Sequence, residues 1–122
     1  MKEEDMGAPV IQWEITSKNA GELQKFYSEL FDWKVDTNND LGYGLVDTQN
    51  ERGAAGGIGE PQPGDPGHLT FYVMVDDPQA TLDKAEAMGA KTVMPPSEIP
   101  GAGVTIALFT DPHGHLIGLT KS

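Results

Sequence analysis

Ile11-Gln12-Trp13-Glu14-Ile15 alternates apolar and polar side chains as a half-buried strand does. Leu69-Thr70-Phe71-Tyr72-Val73-Met74-Val75 opens the same pattern again about 58 residues later. Each run leads into a short amphipathic helix and then three further strand-like stretches. A strand followed by one helix cannot bury its apolar face alone, so the two units are expected to share one sheet. The repeat therefore predicts an α+β fold with one concave face and a small-molecule cavity.

Working outward, Asn19 is the expected N-cap of the first helix, with Glu22 three places on as in a capping box. Leu23, Phe26, Tyr27 and Leu30 then form one apolar stripe, predicted to dock on the sheet. Trp33-Lys34-Val35, Gly42 to Asp47 and Ala54 to Gly59 read as strands. Gly59-Glu60-Pro61-Gln62-Pro63-Gly64-Asp65-Pro66-Gly67 is turn chemistry throughout. In the second half, Asp77-Pro78 caps and starts a helix. Its inner face is Leu82, Ala85 and Met88, and it stops at Gly89. Lys91 to Met94, Val104 to Phe109 and His115 to Thr120 follow as strands, with a flexible loop predicted over Pro95 to Gly103.

Composition narrows the function classes. A chain of 122 residues is one domain, able to bury roughly 65% of its unfolded surface. Eight basic residues against nineteen acidic ones give a net charge of -11, with no basic stripe, which argues against nucleic acid and anionic membrane as partners. The absence of cysteine excludes disulfides, thiolate ligands and a cysteine nucleophile, and is compatible with a cytoplasmic location. No run approaches the ~18 apolar residues of a membrane span. Met1-Lys2-Glu3-Glu4-Asp5 reads as an acidic tip rather than a signal peptide.

Strand alternation assigns the faces. Ile11, Trp13 and Ile15 are expected under the helices, with Val10, Gln12 and Glu14 opposite. Leu69, Phe71, Val73 and Val75 are likewise helix-facing, leaving His68, Thr70, Tyr72 and Met74 on the other side. Glu14 is the candidate general base or substrate anchor, because desolvation can raise a carboxylate pKa. Gln12, Thr70 and Tyr72 are candidates for orienting a ligand by hydrogen bonds. His68, following Gly67 at a strand entrance, reads as an exposed turn residue unless it joins that face. Asp111 and His115 are expected to stabilise their turn, His113 to be exposed, and Trp13 and Trp33 to lie in the core.

Phe26-Tyr27-Ser28-Glu29-Leu30-Phe31-Asp32-Trp33 resembles the helix-to-strand junction of the vicinal oxygen chelate superfamily, which includes glyoxalase I, bleomycin-resistance proteins and extradiol dioxygenases. Val75-Asp76-Asp77 resembles the start of its second helix, and Phe109-Thr110-Asp111-Pro112-His113-Gly114-His115-Leu116-Ile117-Gly118-Leu119 its closing strand. The resemblance implies two βαβββ modules in a curled mixed sheet around a cavity, with helices outside. It places a flexible acidic N-terminus over 1–7 and a single glyoxalase-like domain over 8–122. The modules then run over 8–59 and 68–122, joined by a linker over 60–67.

Metal-using members carry His, Gln or Glu on the first and last strands of each module. Those positions match Gln12, Gly57, Thr70 and Gly118, a set too poor in donors for the usual centre. The resemblance thus implies a protein without a metal or other cofactor. It would bind a small organic molecule through Gln12, Glu14, His68, Thr70 and Tyr72, as a homodimer. The alternative is a lyase, isomerase or dioxygenase-type enzyme using Glu14 as base, or a divalent metal displaced toward Gln12, Glu14 and His68.

Overall fold

The computed structural model describes residues 7–121, so most of the acidic segment expected over 1–7 lies outside the described residues. The element order is β1 (Val10–Thr16), α1 (Ala20–Phe31), β2 (Lys34–Asp36), β3 (Gly44–Asp47) and β4 (Gly56–Gly59). It continues with β5 (Leu69–Val75), α2 (Pro78–Ala87), β6 (Lys91–Ile99), β7 (Val104–Thr110) and β8 (Leu116–Lys121). This is βαβββ twice, an α+β fold. The chain folds as two compact units, one over Gln12–Thr70 and one over residues 7–11 with 71–121.

In the Gln12–Thr70 unit the strand order is β2-β3-β4-β1. β1 and β4 run parallel while β2, β3 and β4 are antiparallel neighbours, which makes the ladder mixed. α1 packs over β2 and β4. Ala20, Val46 and Ile58 are buried there. Beside them Trp13 and Phe31 lie 5.3 and 5.1 Å from the Trp33 ring, and Tyr27 stacks on it at 5.8 Å. Such pairs each add about 0.5–1.5 kcal/mol beyond the area they bury. The two tryptophans are half-buried rather than fully enclosed.

Two local expectations for α1 need correction. Asn19 occupies the N-cap position, but its side chain makes no cap hydrogen bond. Its backbone (φ -111, ψ 52) departs from the extended geometry that aims a cap side chain at the free N–H groups. Instead the Asn19 carbonyl accepts from the Glu22 and Leu23 amides, at 3.1 and 3.2 Å. The apolar stripe also docks only in part. Leu23 and Tyr27 are half-buried, whereas Phe26 and Leu30 remain 52% and 57% exposed. Glycine-rich β4 presents few side chains for them to pack on.

In the second unit the order is β5-β8-β7-β6, with β5 and β8 parallel and the rest antiparallel. α2 packs over β6, β7 and β8. Leu82, Ala107 and Leu119 form its buried centre, against Val73, Val75 and Phe109. Asp77 caps α2 as expected, accepting from the Ala80 amide at 3.1 Å, and Pro78 begins the helix. Met88 is not an inner-face residue; it is the C-cap and turns outward. Along β5, Val73 and Val75 pack toward Leu82 as expected, but Leu69 and Phe71 are exposed.

The predicted loop from Pro95 to Gly103 is mostly strand. β6 continues to Ile99 and pairs with β7 through Ser97, Glu98 and Ile99. Register shifts between Thr92, Met94 and Ser97 skip Pro95 and Pro96, which have no N–H to donate. Because β6 ends its unit's strand order, the missing donors cost little. No helix among the described residues is long and apolar enough to cross a membrane.

Candidate functional site

The site begins with a lane lacking side chains. Across the β1–β4 ladder Glu14 sits beside Gly57 and Thr16 beside Gly59, both on the face opposite Trp13. Tyr43, just before β3, lies over this lane. A Cβ on Gly57 would overlap its hydroxyl, and one on Gly59 would overlap its ring edge. Asn39 fixes the tyrosine's backbone, donating from Nδ2 to the Tyr43 carbonyl at 2.7 Å and accepting the Tyr43 amide at 3.0 Å.

The Tyr43 hydroxyl donates to Glu14 Oε2 at 2.7 Å and accepts from Gln12 Nε2 at 3.3 Å. His68 Nε2 donates to the other Glu14 oxygen, Oε1, at 2.7 Å. His68 Nδ1 donates to Asp65 Oδ2 at 2.6 Å. Two ladder-like contacts hold the histidine against β1. The Thr16 amide donates to the His68 carbonyl at 2.8 Å, and the His68 amide to Thr16 Oγ1 at 2.9 Å. Gly67 makes this approach possible. It adopts φ +117, and a Cβ there would come within 2.8 Å of the Thr16 carbonyl oxygen.

His68 is therefore not an exposed turn residue, since its side chain is 9% accessible. Burial pushes its pKa down, but hydrogen bonds and charge from Glu14 and Asp65 more than offset this. The result lies above the ordinary value of 6.5. Geometry points the same way. Each ring nitrogen faces a carboxylate oxygen, and a ring that donates to both carries two protons. Asp65, His68, Glu14, Tyr43 and Gln12 form one continuous hydrogen-bonded chain.

Of the five expected site residues, Gln12, Glu14 and His68 are brought together. Thr70 is buried in the same unit. Tyr72 belongs to the second unit, where it too is buried and lies against Gly118, whose Cβ would come within 2.5 Å of the tyrosine ring. Tyr43 and Asp65 are members that sequence reasoning missed. The Gly57/Gly59 alternation was a usable signal, because bare glycines on one strand face call for an aromatic neighbour. Asp65 was hidden in a run that reads as turn.

These residues do not fit a divalent cation. Gly57 and Gly118, expected from the resemblance to be ligand positions, lack donors, and the space a side chain would need is filled by Tyr43 at Gly57 and by Tyr72 at Gly118. In the displaced alternative, both nitrogens of His68 are committed to carboxylates. Among the described residues no three His, Cys, Asp or Glu side chains are placed to hold a metal ion. The remaining histidines are structural or exposed. His115 Nδ1 meets Asp111 Oδ2 at 3.0 Å, and Asp111 accepts the His113 and His115 amides, both at 2.9 Å. The His115 amide is the main reason that the Asp111 carboxyl sits below its usual pKa.

Architecture and site together define an α+β domain of paired βαβββ modules with a polar, hydrogen-bonded strand face. The chain belongs to the Glyoxalase/Bleomycin resistance protein/Dioxygenase superfamily, whose profile matches residues 11–119. CFP32 of Mycobacterium tuberculosis is 39% identical over 61 residues, which cover 50% of this chain and 23% of that protein. The anthracycline biosynthesis protein DnrV of Streptomyces peucetius is 29% identical over 126 residues, covering 88% of this chain and 44% of DnrV. The chain thus spans less than half the length of these curated relatives. Among solved structures, a superfamily member from Vibrio splendidus 12B01 superposes with a TM-score of 0.60 at 14% identity. That match covers 95% of this chain and all of the other.

Proposed function

We propose that this domain binds a small organic molecule without a metal ion, on the β1 face that carries Gln12, Glu14 and His68. The observation that carries the reading is Tyr43, which fills the room of a β4 ligand and donates its hydroxyl to Glu14. With both oxygens engaged, Glu14 acts as a fixed acceptor rather than a free ligand for a cation. Gln12 and the Tyr43 hydroxyl supply directional groups to a bound molecule, with Thr70 of the same unit as a further member of the set. DnrV, named for anthracycline biosynthesis, makes polycyclic aromatic compounds the first class to screen. Native mass spectrometry of the purified protein tests for a retained molecule, and calorimetry with zinc, nickel and ferrous iron tests for metal. Stoichiometric metal uptake, abolished by Gln12→Ala, would overturn the proposal.

A second reading is favoured by the His68 ring beside Glu14. In a lyase or isomerase, Glu14 would take a proton from carbon and return it to the product, with the His68 ring fixing the carboxylate in place. Turnover on an identified substrate would then be lost in Glu14→Gln with the fold intact. Full activity in that variant would remove Glu14 as the base. The homodimer remains part of the proposal, supported by the apolar carbon of Phe26 and Leu30 left exposed on α1. Sedimentation equilibrium showing only a monomer would remove it.

A further inference from the structure

A second concavity in the Gln12–Thr70 unit has a different chemistry. Phe31, Trp33, Thr48, Asn50, Arg52 and Gly53 line a shallow hollow of about 440 Å³ that opens widely to solvent. Its aromatic wall is rigid, because Trp33 is wedged against Trp13, Tyr27 and Phe31. Trp13 points away from Glu14 along β1, so this wall is on the other side of the strand from the site above.

The facing loop is tied down at several points. Gln49 Nε2 donates to the Asp32 carbonyl at 2.7 Å, and Trp13 Nε1 to the Ala54 carbonyl at 3.0 Å. Asn50 Oδ1 accepts the Arg52 amide at 2.9 Å, and the Asn50 carbonyl accepts the Gly53 amide at 2.9 Å. A Cβ on Gly53 would overlap the Thr48 side chain. Asp32 and Gln49, so joined, are the two non-glycine residues with positive φ among those described, at 58 and 59°. Asp32 is the left-handed C-cap that ends α1, and its link to Gln49 ties the facing loop to the helix end.

Arg52 is the chain's single arginine. Among the described residues its guanidinium has no hydrogen bond or ion pair. In a chain of net charge -11 one arginine exerts no general pull on anions. It can select an anion that also fits the aromatic wall, and its planar fork matches a carboxylate.

We propose that this cavity binds a planar aromatic carboxylate, with its ring against Phe31 and Trp33 and its carboxylate on Arg52, independently of the Gln12–Glu14–His68 site. The test is a ¹H–¹⁵N NMR titration of the full chain with naphthoate and with uncharged naphthamide. Naphthoate should shift the Trp33 indole and the Arg52 and Gly53 amides. Arg52→Gln should weaken it about tenfold, the scale of one charge-assisted hydrogen bond, and Phe31→Ala should weaken both probes. Gln12→Ala should leave the titration unchanged, which separates this site from the one above. Shifts confined to other residues, no saturable shift, equal affinity for the two probes, or unaltered naphthoate affinity in Arg52→Gln would each overturn the proposal.

Discussion

Tyr43 occupies the space that a side chain on Gly57 would need, and from there its hydroxyl reaches Glu14 at 2.7 Å. One aromatic residue thus closes the β4 position that metal-using relatives are expected to fill, and neutralises part of the buried carboxylate's demand for donors. Gly57 and Tyr43 are therefore two halves of one device, with consequences for stability as well as binding.

Gly57→Ala is expected to destabilise the fold by about 1–3 kcal/mol, because its methyl group must displace the tyrosine from a packed position. Tyr43→Phe removes both the donor to Glu14 and the acceptor for Gln12, and should cost about 1–3 kcal/mol. Urea unfolding of Gly57→Ala, of Tyr43→Ala and of the double variant checks the coupling. If the two sites share space, the double variant falls well short of the sum of its single effects.

The imidazolium predicts a pH dependence. The folded pKa of His68 lies above 6.5, so folding favours the protonated ring. This stabilisation is fully present below pH 6.5 and is lost as pH rises through the folded-state pKa. Urea midpoints should therefore fall as pH rises from 6.5, and the fall should be absent in His68→Gln. A ¹⁵N titration of the ring giving a pKa below 6.5 would contradict the assignment.

Leu82 is 1% exposed at the centre of the second unit, against Ala107 and Leu119. Leu82→Ala should cost about 2–5 kcal/mol through lost burial plus the cavity left behind. Met88→Ala, at a residue 70% exposed, should change stability within about 0.5 kcal/mol. Denaturant unfolding of the pair checks the inward and outward ends of α2.

The two helix starts should also differ. Asp77→Ala removes a side-chain cap on the Ala80 amide and should cost about 1 kcal/mol. Asn19→Ala removes no side-chain cap bond, so its cost should stay well below that of Asp77→Ala. Equal losses in thermal unfolding would show that Asn19 caps α1 after all.

Much of the fold was legible because periodicity is a local property. The alternation in 11–15 and 69–75, the α1 stripe and the Asp77-Pro78 start all appear as elements near their expected bounds. Extents were harder to read. Pro95 and Pro96 look like the end of a strand, yet β6 continues past them because their missing donors coincide with register shifts. Exposure at Phe26, Leu30, Leu69 and Phe71 was likewise invisible, since alternation gives a face but not what covers it.

The sequence by itself determined the doubled βαβββ order and the acidic, cysteine-free chemistry. Only the tertiary structure decided that Asp65, His68, Glu14, Tyr43 and Gln12 form one chain of hydrogen bonds. The physical reason is separation along the backbone. His68 is 54 residues from Glu14 and Tyr43 is 29, so no local pattern encodes their meeting. Parallel pairing of β1 with β4 lays out the glycine lane, and the turn at Gly67 brings the histidine to it.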